Sequence, residues 1–236
     1  MRWSHGLKID NQINMYFPTI CVDNFFDDPG AVRNLALSLE YNSTSNIPWP
    51  GKRSKPINQI SPVYFDQFCK KLMSLSFNLK KEQDLVWRVE TYFQMIEPDQ
   101  YEHINQGWVH IDDSTYAGLV YLNPAISPDC GTSIFKPKFV GTVPIHLDVK
   151  HEMFLNFDKN KSEFYNDKLT ENNSQYEETI RFSNIYNRLI AYDGSQHHGV
   201  TKFVGLDRQP RLTQVFFVKE ISSSHFPIPS ARQIQI

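Results

Sequence analysis

The sequence predicts a fold of the α+β class, with N-terminal helices packed on one face of a β-rich core. Two stretches in which apolar residues recur at helical spacing come first, at 29–40 and 62–77. Five short stretches follow that alternate with a period near two and are rich in β-branched and aromatic residues. These cover 85–96, 115–123, 131–137, 187–193 and 211–218. Short strands separated by turn residues indicate a sandwich or a barrel.

The N-terminal elements have recognisable boundaries. A predicted strand over 19–26 leads to Asp28-Pro29, and proline in the first turn is typical of a helix start. Ser61-Pro62 begins the second helix in the same way. The loop between the helices is rich in Ser, Asn, Pro and Gly, and its basic stretch WPGKRSK, 49–55, is interpreted as a solvated turn.

The chain of 236 residues is long enough to bury a substantial core, and one domain is the expectation. Within residues 1–236 we assign 1–84 to a helical support, 85–220 to the core and 221–236 to a tail. Residues 138–180 are polar, charged and rich in Asn, and they do not fit the core pattern. We expect this insertion to be a long excursion that acts as a lid, with a surface loop of no function as the alternative.

Composition excludes several classes of function. A net charge of -2 does not indicate the excess of basic residues that binding to nucleic acid or an anionic membrane requires. No run approaches the roughly 20 apolar residues of a membrane span, and the N-terminus lacks the apolar region of a secretory signal. Three cysteines without metal spacing are interpreted as reduced thiols. The expectation is a cytoplasmic protein that binds a small molecule or a peptide; the oligomeric state stays open.

The stretch GWVHIDDSTYAGLVYLNP, 107–124, places His110 and Asp112 two positions apart at the entrance to an apolar strand. Residues two apart in a strand face the same way, so both side chains can reach one ion. Taken alone, the pair also fits a polar strand end that begins a turn. A second apolar strand runs through a Gly-Ser turn into His197-His198, and either histidine can complete a set of two histidines and one carboxylate. Such a set leaves open positions on Fe(II).

Two further residues fit a site of that kind. Arg211 begins the last predicted strand, and an arginine there can hold a carboxylate through two hydrogen bonds. The alternative is a solvated arginine at a strand start. Tyr121 points inward if Leu119 does and offers a phenol donor, although an isolated tyrosine in a strand is more often a core residue.

The order of these motifs resembles the Fe(II)- and 2-oxoglutarate-dependent dioxygenases, and within them the prolyl-hydroxylase-like branch. The resemblance covers about 90–220, less the insertion. It is carried by H-x-D at 110–112, YLN at 121–123, CGTSIF at 130–135, NRLIAYDGSxxH at 187–198 and R-x-T at 211–213. It implies a double-stranded β-helix, that is, a jelly-roll or cupin-like core. It also implies Fe(II), 2-oxoglutarate as cosubstrate and O2.

The resemblance assigns the metal ligands by position. His110 and Asp112 match the first two iron ligands of the family. The third is His198 or His197, and His198 with Gly199 behind it fits the family pattern better.

The resemblance also assigns the cosubstrate contacts. Arg211 matches the residue that pairs with the distal carboxylate of 2-oxoglutarate, with Arg208 as its competitor. Thr213 matches a hydroxyl companion of that arginine, and Tyr121 matches a tyrosine that binds the cosubstrate in some members.

The implied activity is hydroxylation of a C–H bond in a protein residue or an amino-acid-like small molecule. Two other classes of protein are alternatives. A catalytically inactive jelly-roll binding protein predicts a broken ligand set. A zinc hydrolase of cupin-like shape needs neither Arg211 nor Tyr121 behind its metal.

Overall fold

A computed structural model describes residues 2–3, 7–9, 13–15, 17–41, 49–81, 83–98 and 104–223. Most of the predicted C-terminal tail therefore lies outside the described residues. No helix in the described part of the chain has the length and apolar character that crossing a membrane requires. Cys21, Cys69 and Cys130 are all free thiols, and only Cys21 is exposed.

Five α-helices and twelve strands make up the described chain. The helices are α1 (Pro29–Leu37), α2 (Ile57–Ile60), α3 (Pro62–Met73), α4 (Leu147–Leu155) and α5 (Ser162–Asn173), with a 3-10 turn at Lys159–Lys161. The strands are β1 (Arg2–Trp3), β2 (Leu7–Ile9), β3 (Ile13–Met15), β4 (Ile20–Val22), β5 (Lys52–Arg53), β6 (Val86–Ile96), β7 (Tyr116–Tyr121), β8 (Thr132–Pro137), β9 (Tyr176–Phe182), β10 (Leu189–Asp193), β11 (His197–Val200) and β12 (Arg211–Ser222).

The strands form a large sheet and a small sheet, both antiparallel. The large sheet has the order β4-β10-β7-β12-β6-β5, and β1 pairs with β12. The small sheet has the order β11-β8-β9, and β2 pairs with β3 in a separate hairpin. One buried cluster joins Leu119 of the large sheet to Ile134 and Phe182 of the small sheet. Side chains from both sheets therefore share a core, and the predicted α+β class is confirmed.

The N-terminal helices cover the opposite face of the large sheet, as predicted. Asp28 caps α1, because its Oδ1 accepts a hydrogen bond from the Ala31 N–H at 2.9 Å. On α3 the ring of Phe68 lies 5.7 Å from the ring of Phe216 on β12. Helix α1 contributes Val32 to the same cluster. Edge-to-face and tilted aromatic pairs of this kind fix the position of the helices on the sheet.

The insertion differs from the expectation of a long polar excursion. It contains two helices, α4 and α5, and it ends earlier than predicted because β9 already begins at Tyr176. The helices pack against the segment that precedes His110. Their shared buried cluster comprises Ile104, Trp108, Val149, Met153, Tyr165 and Leu169.

Candidate metal centre

Backbone pairing brings the two candidate histidines together. His110 lies just before β7, and its N–H donates to the carbonyl of His198 on β11 at 3.0 Å. The N–H of His198 donates back to the carbonyl of His110 at 2.9 Å. Such an exchange of two hydrogen bonds defines an antiparallel residue pair. His110 and His198, which are 88 positions apart in sequence, therefore lie side by side in the structure.

The side chains of His110, Asp112 and His198 converge on one point. His198 Nε2 lies 3.3 Å from Asp112 Oδ2, and His110 Nε2 lies 3.7 Å from Asp112 Oδ1. All three candidate ligand atoms lie within 4.8 Å of one another. Metal–ligand bonds of about 2.1 Å place neighbouring ligand atoms about 3 Å apart, so a single ion fits between them with small adjustments.

Each histidine ring is oriented by a backbone carbonyl. His110 Nδ1 lies 2.7 Å from the Trp108 carbonyl oxygen, and His198 Nδ1 lies 2.9 Å from the Gln196 carbonyl oxygen. A hydrogen bond donated by Nδ1 leaves the lone pair on Nε2, which is the atom that faces Asp112. Hydrogen-bond acceptors that are not themselves metal ligands commonly orient metal-binding histidines in this way.

The surroundings favour the protonation states that bind a metal. Burial lowers the pKa of His110 well below its ordinary value, and the nearby Lys150 and His198 act in the same direction. Burial acts to raise the pKa of Asp112, but attraction to His198, His110 and Arg53 lowers it overall. A neutral imidazole and a carboxylate are the forms that ligate a cation.

The neighbouring His197 lies on the other side of β11. Its ring packs against Tyr176 in a tilted arrangement, with ring centroids 4.7 Å apart, and it is half-buried. Successive residues of a strand face opposite ways, so only one of the two histidines can join His110 and Asp112. The geometry therefore favours His198 as the third candidate ligand.

Arg211 and Arg208 have different surroundings. Arg211 is 2% exposed and lines the same cavity as the three candidate ligands. Its Nε donates to the Cys130 carbonyl oxygen at 3.1 Å, and its guanidinium lies over the Tyr121 ring at 5.6 Å. Arg208 is exposed on a turn and lines a separate cleft. Of these two arginines, Arg211 is thus the one that can meet a ligand next to the metal centre.

Two buried polar atoms near Arg211 have no hydrogen-bond partner among the described residues. They are Arg211 Nη2 and Thr213 Oγ1. Burial also lowers the pKa of Arg211, which reflects the cost of a cation in the interior. A carboxylate bound in the cavity would offset that charge and give Arg211 Nη2 an acceptor, so the residues present fit a dicarboxylate cosubstrate.

Tyr121 and Thr213 stand behind the cavity wall. Thr213 is paired with Tyr121 across β12 and β7. The Tyr121 hydroxyl donates to Thr132 Oγ1 at 3.1 Å, and it is Thr132 that lines the cavity. Tyr121 therefore reaches a ligand through Thr132 or by a shift of its hydroxyl.

The cavity has a volume of about 100 Å³ and contains residues that the sequence did not indicate. Arg53 on β5 and Lys150 on α4 both line it. The interpretation of 49–55 as a solvated turn is wrong for Arg53, whose side chain is buried. Tyr192 also lines the cavity, and its ring centroid lies 4.6 Å from that of His198. The one signal for Tyr192 in the sequence was its inward alternation in the strand that leads to His198.

Comparisons with known proteins agree with this fold. The model of the family described as "Family of unknown function (DUF6445)" matches residues 9–215. A search of curated proteins finds no match. HygX from Streptomyces hygroscopicus, solved with nickel and 2-oxoglutarate bound, has a TM-score of 0.52 and 13% identity, covering 88% of this chain and 84% of that chain.

A second HygX structure, with nickel, 2-oxoglutarate and hygromycin B bound, has a TM-score of 0.52 and 12% identity over 88% of this chain and 84% of that chain. The likeness to HygX confirms the predicted double-stranded β-helix fold.

Proposed function

The chain belongs to DUF6445, a family of unknown function, and we propose that it is a non-haem oxygenase dependent on Fe(II) and 2-oxoglutarate. The observation that carries the proposal is the convergence of His110, Asp112 and His198, whose ligand atoms lie within 4.8 Å of one another. Two histidines and one carboxylate on one side of an iron leave open positions for a cosubstrate and for O2. Bound Fe(II) supplies the one- and two-electron O2 chemistry that side chains lack.

The cosubstrate role of 2-oxoglutarate is supported by the inner end of the cavity. Arg211 would hold the distal carboxylate through Nη2, and Thr213 would donate its hydroxyl. Removing the partner of a buried cation lowers stability by on the order of 3–5 kcal/mol, because the charge is left uncompensated. The dicarboxylate therefore fits the part of this cavity where Arg211 Nη2 needs an acceptor.

The proposed reaction is hydroxylation. One O2 and one 2-oxoglutarate react with a C–H bond to give succinate, CO2 and an alcohol, so one oxygen atom enters succinate and the other enters the product. The chain's own residues bind and orient the reactants. Trp108 and Tyr192 form apolar walls beside the ligands, and such walls exclude water and competing reactions.

The substrate and the branch of the superfamily stay predictions. The prolyl-hydroxylase-like branch is supported by the order of the motifs alone. A protein residue or an amino-acid-like small molecule is the predicted substrate class, and binding of hygromycin B by HygX supports a small molecule. The alternative of an inactive binding protein is disfavoured, since all three candidate ligands converge.

The test is an anaerobic titration of the apo-protein with Fe(II) and then 2-oxoglutarate. We expect a weak visible charge-transfer band that marks chelation of the cosubstrate by iron. Admission of O2 should convert 2-oxoglutarate to succinate at a slow uncoupled rate. The band and the succinate should both be lost in Asp112→Ala. Tight iron binding without the band or succinate would contradict the proposal and favour the inactive binding protein.

A further inference from the structure

An outer cleft continues from the candidate metal centre to the protein surface. It shares Arg53, Lys150, His110 and Asp112 with the inner cavity, but it does not include Arg211. Two cations therefore lie next to the candidate metal centre in a cleft that Arg211 does not line. The two histidine ligands are oriented by backbone carbonyls and not by these two cations.

The Arg53 side chain is fixed in one orientation. Its guanidinium lies 3.7 Å from the centroid of the Trp49 ring and 5.1 Å from that of Phe217. Its Nε donates to Gln94 Oε1 at 3.2 Å. Within the described part of the chain, no carboxylate lies within ion-pair distance of this guanidinium. A planar cation that is already desolvated and oriented is well suited to bind an anion through two parallel hydrogen bonds.

The Lys150 ammonium comes from a different element, the first half of α4. No acceptor among the described residues lies within hydrogen-bond distance of it. Burial lowers the pKa of Lys150 to about 8, and the carboxylate of Asp112 acts in the opposite direction. Lys150 and Arg53 thus line the same cleft, and the insertion carries the first whereas the large sheet carries the second.

The charged groups around the metal centre leave an excess of positive charge in the outer cleft. With Fe(II) and 2-oxoglutarate bound, the iron and Arg211 offset Asp112 and the dicarboxylate. Three cations of the outer cleft, Arg53, Lys150 and Lys219, then face two anions, Glu90 and Asp113. Among the described residues that line the cleft, cations then outnumber anions by one. A buried or half-buried cation of this kind is stabilised by a ligand that carries the missing negative charge.

We propose that the substrate is an organic carboxylate, with its carboxyl group held between Arg53 and Lys150 and its carbon skeleton on Phe217 and Phe154. The two aromatic rings line the cavity next to the candidate ligands and offer an apolar surface. This inference rests on the proposed function, because it names the substrate class of the same site. A single surplus charge favours a carboxylate over a phosphate ester.

The test uses the full chain loaded with Ni(II) and 2-oxoglutarate, so that the cosubstrate pocket is filled and no turnover occurs. Three probes are compared by 19F NMR: 4-fluorobenzoate, its neutral amide 4-fluorobenzamide, and 4-fluorophenyl phosphate. We expect the benzoate to bind most tightly and its resonance to be broadened by Ni(II) but not by Zn(II). Equal affinities for benzoate and benzamide, binding of neither, or preference for the phosphate would overturn the inference.

Charge variants locate the binding group. Arg53→Gln and Lys150→Gln should each weaken benzoate binding roughly 10- to 100-fold, as expected for loss of one charged hydrogen-bond partner. Lys52→Gln and Lys159→Gln are matched controls, because both lysines are exposed and line neither cavity nor cleft. Arg53→Lys keeps the charge and should lose less. Unchanged benzoate affinity in Lys150→Gln would contradict the inference even if the Arg53 variants fail to fold.

Failure of the inference is distinguishable from failure of the proposed function. Loss of benzoate selectivity with normal binding of Ni(II) and 2-oxoglutarate rejects the substrate class alone. Failure to bind Ni(II) and 2-oxoglutarate together rejects the proposed function before any probe is added.

Discussion

The side-chain amide of Asn173 holds the backbone of Val109 as a neighbouring strand would. Its Oδ1 accepts from the Val109 N–H at 2.9 Å, and its Nδ2 donates to the Gly107 carbonyl oxygen at 3.0 Å. The adjacent Asn172 donates from Nδ2 to the Val109 carbonyl oxygen at 3.1 Å. Helix α5 of the insertion therefore fixes the three residues that lead into His110.

Replacement of Asn173 should loosen the candidate metal centre without touching a ligand. In Asn173→Ala we expect the dissociation constant for Fe(II) to rise roughly 10-fold, the lower end of the range for partners that orient ligands. Anaerobic Fe(II) titration measures this. Asn156→Ala is the control, because Asn156 is exposed in the same insertion. Equal iron affinity in both variants would show that the segment holds its shape without α5.

The choice between His198 and His197 is open to a direct test. His198→Ala should abolish stoichiometric iron binding, because one of three ligands is lost. His197→Ala should keep full iron, since its ring packs against Tyr176 away from the centre. Iron content of the purified, reconstituted variants decides between them. Full iron in His198→Ala together with loss in His197→Ala would reverse the assignment.

The choice between Arg211 and Arg208 separates cosubstrate binding from metal binding. Arg211→Gln should raise the apparent KM for 2-oxoglutarate strongly, because the lost charged hydrogen bond contributes a binding free energy on the order of 2–4 kcal/mol. Iron content should stay nearly intact. Arg208→Gln should change neither, because Arg208 is exposed and lines a different cleft. Succinate formation measured over a range of cosubstrate concentrations is the assay. An unchanged KM in Arg211→Gln together with a raised KM in Arg208→Gln would transfer the role to Arg208.

The long strands were predictable because their side chains alternate. β6 and β12 run through 11 and 12 residues, enough for a period of two to be visible in the sequence. Two of the shorter strands, β5 and β11, were not. β5 has two residues and β11 has four, so neither leaves a periodic pattern. The burial of Arg53 could not be predicted either, since it depends on the pairing of β5 with β6 and on the ring of Trp49.

The residues of the candidate site also differ in whether the sequence could predict them. His110 and Asp112 were predicted as ligands from their spacing of two residues in the sequence, and His198 was preferred to His197 because of the resemblance. Lys150 was missed because α4 lies in a segment interpreted as a polar excursion. Helix α5 has few apolar residues, and it docks partly through the amides of Asn172 and Asn173. Asparagine is typical of turns and loops, so the sequence offered no sign that these two hold a strand in place.

Substitution of Gly118, with Gly141 outside the sheet as the comparison, tests how tightly the large sheet is packed. A Cβ added at Gly118 would lie 2.1 Å from the Ile190 carbonyl oxygen and 2.6 Å from Phe216 Cζ. Gly118→Ala should therefore lower the free energy of unfolding by roughly 2–4 kcal/mol, since backbone has to move. Gly141 has open space around it and a φ of +83°, so Gly141→Ala should cost only about 1 kcal/mol. Urea denaturation measures both, and similar losses would contradict the steric argument.

The insertion is predicted to act as a lid, and its structure offers a site at which to test this. The stretch before α4 exposes Phe139, Val140 and Val143 to solvent, whereas Phe154 and Lys150 of α4 line the cavity beside the metal centre. A segment of this kind has apolar side chains that a closed state can bury. We therefore expect Fe(II) with 2-oxoglutarate, and more strongly an added carboxylate ligand, to slow cleavage within 138–147.

Limited chymotrypsin proteolysis, with the fragments identified by mass spectrometry, follows cleavage after Phe139. Cleavage after Leu206 is the internal control, because Leu206 is fully exposed on a turn outside the insertion. Protection of Phe139 with unchanged cleavage at Leu206 would support a lid that closes over the bound reactants. Equal cleavage after Phe139 under all conditions, with succinate production surviving the cut, would leave this stretch as a surface loop. In that case the contribution of the insertion to the site is the fixed contact of Asn173 with Val109 and Gly107.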